Sequence, residues 1–185
     1  GAMQYLDFFA GARAYPDETI PARATFAAAS RRDHQLRKPG GGADAWSLIG
    51  PFNIGGRTNA IAVNPDLPET LYAGSASGGL WRSRTAGRGA SAWERIHTGF
   101  PVQAVSAIAI DPADTNVMYI GTGEVYGYQN SRGGHVNRTT RGSYGIGILK
   151  TVDAGKTWSM SLDWSTNQQR GVQKIAIHPH NPGTV

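Results

Sequence analysis

Three stretches decide the fold: Ala60-Ile61-Ala62-Val63-Asn64-Pro65, Ala107-Ile108-Ala109-Ile110-Asp111-Pro112 and Lys174-Ile175-Ala176-Ile177-His178-Pro179. They align without gaps. Each is a short β-type run of apolar residues stopped by Pro. A second strand follows the first two, at Thr70-Leu71-Tyr72-Ala73-Gly74 and Asn116-Val117-Met118-Tyr119-Ile120-Gly121. A Gly-led third comes next, Gly79-Leu80-Trp81-Arg82-Ser83 and Gly147-Ile148-Leu149-Lys150-Thr151, and then a turn and a Trp, at Trp93 and Trp158. Trp46, Trp93 and Trp158 precede Ile61, Ile108 and Ile175 by 15, 15 and 17 residues.

Ile61 and Ile108 are 47 residues apart, and Ile108 and Ile175 are 67 apart. The additional residues sit in one Gly-rich insertion between Gly123 and Gly147. A period of about 40–50 residues holding four short strands is that of a β-propeller blade. The spacing therefore predicts an all-β propeller of four-stranded antiparallel blades, with about two and a half blades in 45–185. The blades are expected near 58–97 and 105–162, an outer strand near 45–50, and a third blade starting near 172. An ordinary β-sandwich shares the short strands but does not generate the repeat. The Ala-Ile-Ala-Ile strand carries no polar residue, as expected of an innermost strand packed between neighbouring blades. Rings hold roughly four to eight blades, and open stacks leave strand edges unpaired. Completion of the ring by polypeptide beyond Val185, or by other chains, is thus expected.

Outside the repeat, Gly1-Ala2-Met3 reads as a remnant of tag removal, and 4–44 as an N-terminal extension. Pro21 through Arg37 reads as a helix: Pro in the first turn, Ala-rich sequence, then Lys38-Pro39-Gly40-Gly41-Gly42 as a stop. There is no Cys among the 185 residues, so there is no disulfide framework and no thiol chemistry. Nor is there an apolar run near the ~18 residues of a membrane helix. The net charge of +5 is a modest basic bias that selects no partner by itself.

Thr151-Val152-Asp153-Ala154-Gly155-Lys156-Thr157-Trp158 matches Ser/Thr-x-Asp-x-Gly-x-Thr-Trp, the Asp box. Its parts suit a hairpin turn: Asp153 accepts from backbone N–H groups, Gly155 takes a positive φ, and Trp158 buries its ring. In the first blade Ser83-Arg84-Thr85-Ala86-Gly87 keeps the Gly but not the Asp. The motif resembles those of sialidases, sortilin-type propellers and xyloglucan-degrading glycosidases. Together with Gly50 through Arg57, Tyr72 through Ser83 and Gly121-Thr122-Gly123-Glu124, it looks most like secreted bacterial repeat proteins of the BNR/sortilin-like group. The resemblance implies the fold, a secreted, periplasmic or cell-surface location, and a structural role for Thr151, Asp153, Gly155, Thr157 and Trp158. It implies chemistry only weakly, because one fold hosts many functions.

The repeat assigns loops to two ends of the blades. Asn53 to Arg57, Ser75 to Gly78, the insertion from Glu124 to Tyr144, and Asp163 to Gly171 share the end that related glycosidases use. Candidate ligand-binding residues there are Arg57, Glu124, Tyr126, Tyr128, Arg132, His135, Arg138, Arg141, Tyr144 and Trp164. Aromatic rings stack on sugars or bases, and Arg pairs with carboxylate or phosphate. From Val125 to Val152 there are four cations and no acid. Glycoside hydrolysis needs two carboxyl groups or a Tyr nucleophile, and Glu124 and Asp163 are the two carboxylates at this end. Phe52-Asn53-Ile54-Gly55 lacks the Arg and Pro of the sialidase Phe-Arg-Ile-Pro motif, and Ser75-Ala76-Ser77-Gly78-Gly79 lacks the Asp of xyloglucan-type enzymes. His178-Pro179-His180 occupies a turn position, as do Asn64-Pro65-Asp66 and Asp111-Pro112-Ala113, so no metal is expected. No cofactor loop is present, and no nucleic-acid motif appears. The expectation is a non-catalytic binding or scaffolding propeller whose partners are a glycan or protein ligand and the remaining blades. The alternatives are a glycoside hydrolase with catalytic groups partly outside this chain, and a structural fragment completed by other chains.

Overall fold

The computed structural model describes residues 56–101, 104–124, 145–166 and 170–185, the backbone of 128–130 and 136–138, and scattered helical residues between 4 and 31. Among the described residues ten strands run in order: β1 (Thr58–Val63), β2 (Leu71–Ser75), β3 (Leu80–Ser83), β4 (Trp93–Ile96), β5 (Val105–Ile110), β6 (Met118–Thr122), β7 (Tyr128–Asn130), β8 (Val136–Arg138), β9 (Gly147–Thr151) and β10 (Ser159–Asp163). They build two four-stranded antiparallel sheets, β1-β2-β3-β4 and β5-β6-β9-β10, and a separate β7-β8 hairpin. Each large sheet is a blade in which strands pair in chain order.

The sequence repeat is a structural repeat in detail. Asn64 N donates to Thr70 O at 2.9 Å, Asp111 N to Val117 O at 2.9 Å, and His178 N to Thr184 O at 3.0 Å. The first side chain of each turn caps it: Asn64 Oδ1 accepts from Asp66 N, Asp111 Oδ1 from Ala113 N, and His178 Nδ1 from His180 N. Asx-type caps explain why polar residues end every inner strand. The ladder also shifts at one place in both blades, between Thr58 and Ala60 and between Val105 and Ala107.

Blade meets blade through glycine. A Cβ on Gly74 would stand 2.5 Å from Val105 O, and one on Gly121 would stand 2.6 Å from Val172 Cβ. Val105 and Val172 occupy the same repeat position, so each inner strand packs against the second strand of the blade before it. Tyr72, Leu80, Val105, Met118, Ile120 and Leu149 fill the core between the sheets. Each fully buried side chain of this size contributes about 1.5–3 kcal/mol through desolvation.

Residues 170–178 follow the same plan but form no strand among the described residues. The segment is docked by packing, with Val172 buried and Ile175 and Ile177 half-buried, while no second strand pairs with its backbone. The expected inner strand of a third blade is therefore seated but unpaired. Burial of the first inner strand also differs from expectation. Ile61 is 69% exposed and Val63 is 53% exposed, whereas Ile108 and Ile110 are half-buried, because blade 1 covers the latter pair. The outer strand expected near Trp46 lies outside the described residues. In the N-terminal extension Arg23, Ala24, Phe26, Ala27, Ala28, Ser30 and Arg31 are helical, and so are Gln4, Tyr5, Phe8 and Ala12, where no helix was expected. Phe26 packs on the core.

Candidate functional site

The strand ends sort the loops into two groups. At one end lie the turns from β3 to β4 and from β9 to β10. Thr151 Oγ1 accepts from Gly155 N at 3.0 Å, and Asp153 accepts from Thr157 N at 2.8 Å and from Thr157 Oγ1 at 2.5 Å. The Thr157 hydroxyl first, then its backbone N–H and the Thr151 hydroxyl, hold the Asp153 carboxyl at a pKa of about 2. Gly155 has φ +87°, and Ala154 before it also sits at +57°. Blade 1 reproduces this turn without the acid. Ser83 Oγ accepts from Gly87 N at 2.9 Å, Ala86 has φ +52°, and Trp93 stacks over Gly87 as Trp158 does over Gly155. The backbone path is thus set by the hydroxyl and the Gly, and the Asp is an added brace. Arg82 of blade 1 donates to Ala154 O at 3.2 Å and ties the two blades at this end.

The opposite end carries Arg57 before β1, Glu124 after β6, the root of the insertion, and Asp163 closing β10. Arg57 and Glu124 form a bidentate ion pair; the Nη2–Oε2 arm is 2.7 Å, and Nη1 contacts Oε1. The Glu124 side chain is 3% exposed and that of Arg57 is 44% exposed. The pair spans two blades. Neither residue has a like counterpart in the repeat: Ala104 occupies the place of Arg57, and Ser77 that of Glu124. Arg57, a candidate partner for a ligand carboxylate, is paired with a carboxylate of its own chain.

Asp163 is exposed and acts as a turn cap, accepting from Ser165 N at 2.8 Å. That hydrogen bond, with the Ser165 hydroxyl, lowers its pKa. Trp164 is half-buried; its backbone N donates to Ile146 O at 3.0 Å, and its indole N–H has no acceptor among the described residues.

The insertion hangs from a closed neck. The Thr122 hydroxyl accepts from Ile146 N at 2.8 Å and Gly147 N at 3.0 Å, and donates to Gly147 O at 2.7 Å. Ser75 does the same work for the short loop of blade 1, accepting from Gly78 N at 3.0 Å. Gly123 (φ +88°) and Gly145 pass so close that neither has room for a Cβ. Within the insertion β7 and β8 pair, Tyr128 opposite Arg138; the sequence reading foresaw no strands there. Tyr126, Arg132, His135, Arg141 and Tyr144 lie outside the described residues.

Beside the ion pair is a cleft of about 480 Å³, lined by Arg57, Asn59, Ser106, Glu124, Val172 and Gln173 among others. Sequence reading missed Asn59, Ser106 and Gln173. The signal was available: all three occupy the second place of the inner strand, directly before the Ala-Ile or Lys-Ile pair that defines the repeat. Ser106 Oγ donates to Val172 O, and Asn59 Nδ2 is buried with no partner among the described residues.

No family model matches the chain, and no curated protein matches it. Among solved structures the chain is similar to the GH74 xyloglucanase from Xanthomonas campestris, at 20% identity and a TM-score of 0.40, over 62% of this chain and 15% of that one. It is also similar to an ancestral GH74 enzyme, at 17% identity and a TM-score of 0.30, over 56% of this chain and 18% of the other. The chain spans less than a fifth of either. No helix among the described residues is long and apolar enough to cross a membrane.

Proposed function

We propose that this is a non-catalytic binding propeller of the Asp-box repeat group, working outside the cytoplasm and recognising its ligand at the blade end that bears the Arg57–Glu124 pair. The state of the two candidate carboxylates supports this reading. A hydrolytic general acid needs a raised pKa and a proton to give. Asp163 is shifted the other way by its turn, and Glu124 is clamped by a guanidinium. Asp163 is thus a turn cap, and Glu124 is one half of an ion pair. The Thr151–Trp158 turn carries the group assignment, and the extracytoplasmic location follows from the resemblance of that turn.

The same end has what a binding face needs: a polar cleft, a rigid floor of two blades, and a long insertion held at a fixed neck. Pockets of 300–1,000 Å³ are the usual size for small-ligand sites. Arg57 and Glu124 cancel in charge, so the cleft favours an uncharged ligand over an anionic one. Glycan is the first candidate, and a protein segment the second.

Incubation of the purified chain with xyloglucan and with sialyl-lactose, followed by measurement of reducing ends and released sialic acid, tests the non-catalytic part. No turnover is expected. Turnover that Glu124→Gln abolishes would overturn the reading and return the chain to the hydrolases.

A further inference from the structure

The cleft has a feature that the repeat alone does not require. Asn59, Ser106 and Gln173 are equivalent positions of three successive repeats, and all three line one cleft. In β1 and β5 this position is the residue skipped by the ladder, between Thr58 and Ala60 and between Val105 and Ala107. A bulge re-aims the side chain it carries and recurs beside functional sites. Here it presents a polar side chain in strands whose remaining residues are almost wholly apolar.

Packing does not account for the choice of residue. Ser106 ties blade 2 to the next inner strand through Val172 O and also reaches Gly121 O at 3.3 Å. Asn59 makes no such tie, and its Nδ2 has no acceptor among the described residues. A buried donor without an acceptor costs about 1–3 kcal/mol and calls for an explanation. A structural role would be served by a second Ser, or by Ala, without that cost.

We propose that Asn59, Ser106 and Gln173 form a carbohydrate subsite: a row of hydrogen-bonding groups for the hydroxyls of one neutral sugar ring, with the Arg57–Glu124 pair as its wall. The inference rests on the binding reading above and deepens it. Side-chain amides offer both donor and acceptor, which matches a hydroxyl that both gives and takes a proton. The wall has no net charge, so it brings neither an excess cation for an anionic sugar nor an excess anion for a cationic one. The cleft volume of about 480 Å³ suits one or two rings.

The test follows the side-chain amide signals of Asn59 and Gln173 in the 15N-labelled chain during titration with neutral cello-, xylogluco-, manno- and chito-oligosaccharides, and separately with an uncharged Gly/Asn peptide. Binding of one sugar series should move both amide pairs. Asn59→Ala and Gln173→Ala should each weaken that sugar about five- to tenfold, the effect of one lost hydrogen bond. Asn59→Leu, which keeps the approximate shape without donor, acceptor or charge, should do the same, with backbone amide changes confined to the neighbourhood of residue 59. Sugar binding that moves other signals, with both variants at full affinity, overturns the subsite and leaves the binding face standing. Amide shifts with the peptide alone overturn the carbohydrate assignment. Silence toward every sugar overturns the subsite and the glycan reading together.

Discussion

Replacing Gly121 with Ala should drive two blades apart, and its partner identifies the rescue. The new Cβ would lie 2.6 Å from both Val172 Cβ and Val172 Cγ1 and 3.1 Å from Ala107 Cβ. Carbon–carbon contacts are favourable near 3.5–4.0 Å, so about 1 Å must be found. Val is stiff at χ1 and cannot swing aside. Overpacking of this kind costs about 1–3 kcal/mol, and about 0.4–1 kcal/mol returns because Ala restricts the unfolded chain. A net loss of about 1–2 kcal/mol lowers Tm by roughly 2–4 °C per kcal/mol at this size. Thermal and urea unfolding of Gly121→Ala, Val172→Gly and the double variant would be compared. The double variant should lose less than the sum of the two single losses, because with Val172 reduced to Gly the new methyl meets no Val side chain. Gly74→Ala is the control: its methyl meets the backbone atom Val105 O at 2.5 Å before the side-chain atom Val105 Cγ1 at 2.9 Å, so Val105→Gly should rescue it only in part. A neutral Gly121→Ala, or equal rescue at both sites, would refute the blade-contact reasoning.

Three further outcomes can be checked. Arg57→Ala should destabilise more than Glu124→Ala, by about 3 kcal/mol against about 1, because the first leaves a buried carboxylate without its guanidinium while the second leaves a half-exposed cation that water can reach; equal losses in urea melts would contradict the burial asymmetry. Asp153 has a folded pKa of about 2, below its ordinary 3.8, so its contribution is present above about pH 4 and is lost as pH falls toward 2. The Tm gap between wild type and Asp153→Asn should close over that window, and a gap that persists at pH 2 would show that the brace is not ionic. Replacement of the insertion by the four-residue loop of blade 1 should raise the unfolding midpoint by a few degrees, since the shortening is between two and three halvings of loop length at about 0.6 kcal/mol each; a drop would mean that the insertion packs on the blades.

The blades were legible because inner strands announce themselves in three ways at once: alternating small and branched apolar residues, a polar cap such as Asn64 or Asp111, and a Pro. Each of those has a local physical cause, so sequence carries it. The ion pair was only half legible. Arg57 and Glu124 could be placed at one end of the blades, but their pairing depends on a contact across 67 residues, and no local pattern encodes that. Asn59, Ser106 and Gln173 were passed over because a single polar residue at a strand edge reads as ordinary; the register shifts that set Asn59 and Ser106 apart in β1 and β5 are visible only in the structure. The third inner strand was foreseen as a strand from Ile175 and Ile177, yet strand structure also needs a hydrogen-bonding neighbour, which side-chain pattern cannot supply.

The neck at Thr122, Gly123 and Gly145 separates the sheet from what is mounted on it. Below it, the hydroxyl of Thr122 and the meeting of two glycines close the end of the blade. Above it, blade 2 carries a long insertion with the hairpin of β7 and β8, where blade 1 carries four residues. Blade 1 has the socket as well, with Ser75 in the seat of Thr122 and a minimal loop in place. A propeller of this kind is therefore a rack of interchangeable mounts: new recognition can be gained by exchanging what is plugged in, one blade at a time, without redesigning the frame.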